Sequence, residues 1–367
     1  MLSLFSKKID FTAKKPVQFY SKLSDYTYDL PRELIAQHPL ENREDARLLI
    51  LYRNSGRIEH RRFYEITEYL CPGDFLVLNN TKVIPALLTG KRVSGASLEL
   101  LLTEEGEEEN QWKVLIKSNA KLKAGEEIIV ADNVLPAKLL MKNEDGSWLI
   151  QFDKNHPIKD LLARTGKMPL PPYIKRTGKN GICYSSDKER YQTVFAQNEG
   201  AIAAPTAGLH FSHDTLEKIR NQGVEIGFVT LHVGMGTFMP MKTDDIQKHQ
   251  MHKEHYECSQ EIMEKIKRTK ERQNRVIAVG STSCRVLESV AINNQTPQTS
   301  GWTNLFIYPP YHFQHVDVLL TNFHLPKTTL LVLVSAFAGR ENILNAYEIA
   351  KNRGYRFFSY GDCMMII

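Results

Sequence analysis

The sequence predicts an α/β protein, a mixed α/β domain interrupted by an inserted small antiparallel β-barrel domain. Three observations predict it. The uninterrupted apolar run Phe75-Leu76-Val77-Leu78 reads as a buried strand. From Gly90 to Phe152, short apolar or alternating runs are punctuated by Gly95, Gly106, Gly125 and Gly146, with no long helical period between them. That rhythm belongs to a small barrel. After Leu161, strand-like and helix-like stretches alternate.

The elements follow in chain order. Residues 1–25, with Lys7, Lys8, Lys14, Lys15 and Lys22 against Asp10 and Asp25, show no period and read as a basic N-terminal arm. Phe63 to Leu70 reads as a short helix stopped at Pro72-Gly73. Barrel strands are expected at Leu98–Leu102, Trp112–Ile116, Glu127–Val130 and Trp148–Phe152. Glu104 to Glu109 places five carboxylates in six positions, a solvated hairpin tip that must face away from any RNA partner. Lys167 to Tyr173 is a stiff, proline-rich extended linker. Beyond it, helices are expected at Thr215–Asn221, across most of Asp244 to Lys270, at Thr282–Asn293 and at Glu341–Asn352. Strands are expected at Val224–Val233, Arg275–Gly280, Asn304–Tyr308 and Leu330–Val334. The α/β domain is therefore assigned to 26–72 and 165–367, and the barrel insertion to 73–164.

Composition narrows the class. The chain has 367 residues, 42% hydrophobic and 24% charged, which excludes collagen, a disulfide mini-protein and a wholly disordered chain. The apolar run at Leu330–Val334 is far short of the roughly 20 residues a membrane span needs. The first five residues are too brief for a signal-peptide core. A net charge of +5 permits a polyanionic partner without demanding one. Five cysteines at wide spacings, none in a C-x-x-C pair, fit reduced thiols in a cytoplasmic protein.

Four segments depart from ordinary core or surface patterning. Ala203 to Phe211 combines small residues, Pro205 and Gly208, which let backbone approach a ligand, with Thr206 and His210. His210 alone, between Leu209 and Phe211, reads as a hydrogen-bonded core histidine. In Thr230 to Phe238 a strand carrying His232 runs into Gly234-Met235-Gly236-Thr237, where backbone N–H groups can face a ligand. Pro240 argues against a following helix, so this is no dinucleotide fingerprint, and a plain tight turn reads equally well. In Gly280 to Glu288 a strand ends and a helix opens on a hydroxyl run, a place that attracts anions. Arg285 and Glu288, three apart, share a helix face, and by spacing alone form an exposed ion pair. In Leu320 to Pro326, Asn322 and His324 alternate with apolar residues and face one side of an extended segment, whether as a site or as the polar face of an edge strand. His249, His252 and His255 have a spacing that can hold zinc on a helix, but H-E-x-x-H is absent and a solvated or RNA-facing helix is the better reading. No metal is expected.

Together these segments resemble the S-adenosylmethionine:tRNA ribosyltransferase-isomerase family of queuosine synthesis. The match runs through Tyr28-Asp29-Leu30-Pro31, Leu34-Ile35-Ala36, Pro72-Gly73-Asp74, Leu78-Asn79-Asn80-Thr81, Met168–Tyr173, Tyr191-Gln192-Thr193-Val194, the four segments above and Tyr355–Asp362. It departs at Lys82 and Leu87, where the family usually has arginine, and at Ser281, where it usually has threonine. The resemblance implies transfer and isomerisation of the ribosyl part of S-adenosylmethionine onto 7-aminomethyl-7-deazaguanine at the tRNA wobble position. The products are epoxyqueuosine-tRNA, adenine and methionine. It implies no cofactor, because S-adenosylmethionine is consumed as a substrate, and the partners are that substrate and tRNA. A soluble cytoplasmic monomer is expected.

With that resemblance, His210, His232 and His324 become candidate acids and bases, with Glu288 and Asp362 behind them. Candidate substrate contacts are Thr206, Gly208, Gly234, Gly236, Thr237, Asn322 and Tyr360, with Arg285 or Arg356 clamping a carboxylate. Lys91, Arg92, Lys175, Arg176, Lys351 and Arg353 are candidate phosphate contacts. A tRNA methyltransferase and a non-catalytic RNA-binding protein are the rival readings.

Overall fold

The structure, a computed structural model, describes residues 20–131, 134–176, 182–234, 241–292 and 299–367. Gly236, Thr237 and the arm up to residue 19 lie outside the described residues. The strands are β1 (Arg47–Tyr52), β2 (Arg57–Arg62), β3 (Phe75–Asn79), β4 (Thr81–Val83), β5 (Leu87–Arg92), β6 (Ser97–Glu105), β7 (Gln111–Ser118), β8 (Glu127–Val130), β9 (Leu135–Lys142) and β10 (Trp148–Phe152). They continue with β11 (Asn198–Ala201), β12 (Glu225–Leu231), β13 (Glu254–Glu257), β14 (Val276–Val279), β15 (Ser300–Thr303), β16 (Val318–Asn322) and β17 (Cys363–Ile366). The helices are α1 (Ile158–Thr165), α2 (Ile182–Arg190), α3 (His213–Asn221), α4 (Gln260–Glu271), α5 (Gly280–Ile292), α6 (Thr329–Ala338) and α7 (Arg340–Asn352). Among the described residues no helix is long and apolar enough to cross a membrane.

Nine strands form one mixed sheet in the order β15-β13-β12-β3-β14-β16-β17-β1-β2, and β5 to β10 close an antiparallel six-stranded barrel. The two classes of strand carry different sequence signatures for one reason, the number of buried faces. Every residue of β3 and β14 is buried, because helices and loops cover both faces of the central sheet. Barrel strands β6, β8 and β9 instead alternate buried and exposed residues, since only the barrel interior is dry. Leu100, Leu102, Val114, Val130, Ile150 and Phe152 fill that interior. The barrel strands span residues 87–152, a narrower insertion than the expected 73–164, because β3 pairs with β12 and β14 in the large sheet. Residues 20–25, the end of the expected arm, are docked: Leu23 N–H donates to the Asp244 carbonyl at 2.7 Å.

Three expected elements are corrected. The strand expected at Leu330–Val334 is the middle of helix α6, whose Thr328 hydroxyl accepts the Leu331 N–H and whose end turns at Gly339, φ +83°. An apolar run buried all round has no period to distinguish helix from strand, so flanking caps decide. The long helix expected across Asp244 to Lys270 is only α4, capped by Ser259, with β13 before it. Glu254 and Tyr256 point inward there and their neighbours outward, a period of two. His249, His252 and His255 therefore do not share a helix. The strand expected at Asn304–Tyr308 lies earlier, at β15. At Leu305 the carbonyl accepts from Arg285 Nε (3.1 Å) and the N–H donates to the Thr303 hydroxyl (3.1 Å), so side chains take bonds that a ladder would use.

Asn79 closes the end of β3. Its amide donates to the Leu231 carbonyl (3.0 Å), and its side-chain oxygen accepts the N–H groups of Leu231 and Thr81 (3.1 Å each). An Asn79→Leu variant leaves three buried backbone groups unpaired, each costing about 1–3 kcal/mol. Urea denaturation is expected to show a loss of at least about 3 kcal/mol; an unchanged midpoint contradicts this account of how β3 and β12 are joined.

Candidate active site

Strands β12, β3, β14 and β16 run parallel, so Leu231, Asn79, Val279 and Asn322 end on one edge of the sheet. Open α/β sheets bind ligands at such carboxyl ends. β17 runs the other way beside β16, and the pairing of Asn322 with Cys363 brings Asp362 to the same edge.

A cavity of about 80 Å³, open at its mouth, occupies this edge. Its wall takes residues from all four unusual segments: Ala203 to Ala207, Val233, Gly280 to Thr282, and Thr321 to Leu325. Tyr173, Thr328, Leu330, Phe358 and Ser359 complete it. Tyr173 and Phe358 stack at a tilt with centroids 4.9 Å apart, and the Tyr173 hydroxyl bonds Ser359 Oγ at 2.7 Å. Phe358 holds φ +70°, a left-handed conformation of a kind retained where surrounding contacts over-determine it. Thr282, at the start of α5, keeps a buried hydroxyl without a protein partner beside this cavity.

Asn322 ties the wall together. Its side-chain oxygen accepts from the Thr206 hydroxyl (2.9 Å), and its amide faces His210 Nε2 (3.1 Å) and the carbonyls of Phe358 (3.3 Å) and Asp362 (3.4 Å). An amide donating to Nε2 requires that nitrogen to be unprotonated. Burial agrees, pulling His210 down to about 4. His210 itself lines a second, smaller pocket with Arg43, Arg190 and Tyr360.

Of the three candidate histidines, His324 lines the main cavity. Its Nε2 bonds the Thr321 hydroxyl at 2.8 Å, and burial alone pulls it down to about 3. The Tyr347 hydroxyl accepts its backbone N–H at 3.0 Å, and Tyr28 donates to its carbonyl. His232 bonds Thr81 Oγ1 at 2.8 Å and stacks on His255 with centroids 6.1 Å apart; burial, then His255, lowers its pKa. Gly200 makes that placement possible, since a methyl group there would meet the imidazole at 2.9 Å. Gly208 is likewise closed to a side chain, by Phe195 and Thr193.

The other candidates are placed as follows. Arg285 and Glu288 do not pair. Arg285 is buried and pairs with Glu254, whose other oxygen accepts the Gly234 N–H at 3.0 Å, so that N–H is held by protein. Glu288 accepts the N–H groups of Gln314 (2.9 Å), His315 (3.0 Å) and Val316 (3.0 Å) and the Tyr311 hydroxyl (3.2 Å), anchoring a loop. Asp362 accepts the backbone N–H groups of Arg47 and Arg356 (2.8 Å each) and pairs with Arg47 Nε at 3.1 Å. Arg356 donates to the His38 carbonyl and keeps a second nitrogen buried without a partner. The Tyr360 hydroxyl donates to Asp187 at 3.3 Å. Sequence spacing missed Glu254 because its strand read as helix.

Among the cations, Lys91, Lys175 and Arg353 are exposed. Arg176 is buried against Asp187 (2.7 Å), Arg92 pairs with Glu126 (2.5 Å), and Lys351 pairs with Glu348 (2.7 Å). Lys82 pairs with exposed Glu199 at 2.8 Å, Leu87 opens the first barrel strand opposite Leu101, and Ser281 stands on the cavity wall.

A wider cleft of about 740 Å³ lies beside the cavity. Ile202 and Gly234 face the cleft, while their chain neighbours Ala203 and Val233 face the cavity. The barrel supplies Thr103, Lys113 and Ser147 to its wall. Glu104, first residue of the acidic tip, also lines it, with Lys113 at 3.8 Å from its carboxylate.

The two buried histidines make acid stability a readout of this site. Unfolded histidine titrates near 6.5. Between that value and the folded values of about 4 and 3, the unfolded chain binds protons that the folded chain refuses. Stability therefore falls as pH drops through this window, by up to about 1.4 kcal/mol per pH unit for each histidine. The urea midpoint is expected to be lower at pH 5 than at pH 7.5, with a smaller drop in a His210→Gln/His324→Gln double variant; equal drops contradict the assignment.

Residues 23–366 match the family model described as "Queuosine biosynthesis protein". The chain is 49% identical over 348 residues to the S-adenosylmethionine:tRNA ribosyltransferase-isomerase of Thermoanaerobacter sp. strain X514, covering 94% of this chain and 100% of the relative. It is 48% identical to the enzyme of the same name from Clostridioides difficile, with 94% and 99% covered. The crystal structure of S-adenosylmethionine tRNA ribosyltransferase from Thermotoga maritima superposes with a TM-score of 0.52 at 38% identity, covering 94% of this chain and all of that one.

Proposed function

We propose, for a chain that belongs to the S-adenosylmethionine:tRNA ribosyltransferase-isomerase family of queuosine biosynthesis, that the cavity at the sheet edge holds S-adenosylmethionine and that the adjoining cleft admits the RNA. The observation that carries this reading is the meeting of all four unusual segments on one wall, with a second and larger opening directly beside it. Two substrates must react, and two neighbouring cavities of unequal size suit a nucleoside and a nucleic acid. The acceptor is the aminomethyl group of 7-aminomethyl-7-deazaguanine at the wobble position, and the products are epoxyqueuosine-tRNA, adenine and methionine.

The chemistry follows from the sulfonium. Its positive charge acidifies the adjacent ribose C5′–H, so a neutral imidazole can accept that proton. Ring opening breaks C4′–O4′ and expels adenine, leaving a vinyl sulfonium and a C1′ aldehyde. The RNA amine adds to C4′ and regenerates an ylide at C5′, which closes the five-carbon ring on C1′, and the resulting alkoxide forms the epoxide at C5′ as methionine leaves. His324 is the histidine on the cavity wall, and burial keeps its imidazole neutral, which leaves it able to accept a proton at a cost in basicity and makes its charged form a strong acid. Neutral at working pH, it accepts; once charged in a dry site, it is a strong acid for the departing adenine. His210 acts through Asn322, orienting it from behind, and Tyr173 with Phe358 offers an aromatic surface to the base. His232 and the backbone at Gly234 lie between the two substrates. Arg285 and Arg356 each keep one buried guanidinium nitrogen unpartnered, and Arg356 or Arg285 serves the methionine carboxylate. The exposed Lys91, Lys175 and Arg353 remain the freer cations for phosphate, ahead of the paired Arg92, Arg176 and Lys351.

Single-turnover release of adenine tests the assignment. His324→Ala is expected to slow it by about 10²-fold or more, and His210→Ala and His232→Ala by less. Full release in all three variants overturns the assignment. Product analysis separates the rival: adenine and methionine support ribosyl transfer, whereas S-adenosylhomocysteine identifies a methyltransferase.

A further inference from the structure

Tryptophan is usually placed where its large ring escapes water. Trp112 and Trp148 obey this inside the barrel, but Trp302, on edge strand β15, is 63% exposed. It is also not isolated. It pairs in register with His255 of β13, their rings meeting edge to face with centroids 5.4 Å apart. His255 in turn stacks on His232 at 16° between planes. Three rings thus step across β15, β13 and the end of β12, from the sheet edge toward the nucleoside cavity.

The outer ring of this series lines the wide cleft, together with Lys242, Lys253, His249 and His252. Lys242 and Lys253 are exposed and have no carboxylate partner among the described residues, whereas the carboxylates on the same wall are engaged: Glu104 and Asp145 by Lys113, Glu254 by Arg285. An exposed aromatic face flanked by unpaired cations matches an unstacked nucleobase with its phosphates, because every base offers a π-face and every phosphate an anion. A duplex would use the cations alone.

We propose that Trp302, backed by His255, is a stacking platform for an unpaired base of the RNA next to the one being modified. This rests on the reading that the cleft admits the tRNA anticodon loop. Chemistry on a base requires it to leave its stack, and a platform for its neighbour offsets part of that cost.

The test uses the whole protein and an anticodon stem-loop RNA carrying the deazaguanine. Because the other two tryptophans are buried, quenching of intrinsic fluorescence on RNA addition reports Trp302, and quenching is expected. Trp302→Ala is expected to weaken RNA affinity roughly tenfold or more, with the slope of affinity against salt unchanged, while Trp302→Phe restores most of it. Adenine release at saturating RNA should stay within about twofold of wild type in both variants. If wild-type protein binds the RNA and releases adenine, but fluorescence does not respond and Trp302→Ala binds equally well, the platform is overturned and the reaction stands. A weaker Trp302→Ala with a reduced salt slope and no quenching also overturns it, because phosphate contact then explains the surface. No RNA-dependent adenine release from wild-type protein overturns the underlying reading as well.

Discussion

The side-chain amide of Asn322 is the interaction on which the site depends. It stands where β16 ends, and its groups reach Thr206, His210 and the backbone at Phe358 and Asp362. Those partners are separated by more than a hundred residues of sequence on one side and about forty on the other. A single planar group with a fixed donor and acceptor end holds them in one arrangement. It also imposes a protonation state, since His210 must present a bare nitrogen to it. The parallel strands supply the precondition by bringing four carboxyl ends to one edge.

Around that edge the charged groups divide into two kinds. Asp362, Glu288 and Glu254 are buried and engaged with backbone N–H groups or with arginine, so they shape loops and strand ends. The histidines are buried with neutral partners, hydroxyls and an amide, and desolvation therefore governs them. A cationic substrate entering a cavity lined by neutral imidazole, hydroxyls and aromatic rings meets groups that can accept a proton without first giving one up. The carboxylates are each held by their own hydrogen bonds and ion pairs within the protein.

Much of this was legible in the sequence, for physical reasons that also explain the misses. β3 and the barrel strands announced themselves because burial on two faces or one leaves different patterns. The odd motifs meet on one cavity wall, the candidate site, and they stood out because small residues, histidines between apolar neighbours and hydroxyl runs are poor choices for ordinary core. What failed was anything decided by distant partners. Helix α6 is apolar on every side, so its period vanished and only the Thr328 and Gly339 caps distinguish it from a strand. Arg285 and Glu288 have the spacing of an ion pair, yet each is claimed by another element, Glu254 and the 314–316 backbone. Arg176 looked like a surface cation and is buried against Asp187. Spacing along a helix shows which residues are able to meet; the tertiary fold determines which partner each one takes.

The central claim is that the cavity built around Asn322 lets the sugar carbon next to the sulfonium lose a proton. The direct measurement follows S-adenosylmethionine carrying two deuteriums on ribose C5′, incubated with the enzyme and its RNA acceptor, with the product and the water analysed by mass spectrometry. The account predicts that one deuterium leaves C5′ as adenine is released, and that the label stays in place without RNA turnover when His324 is replaced by alanine. Product that retains both deuteriums, formed at the normal rate, would contradict it.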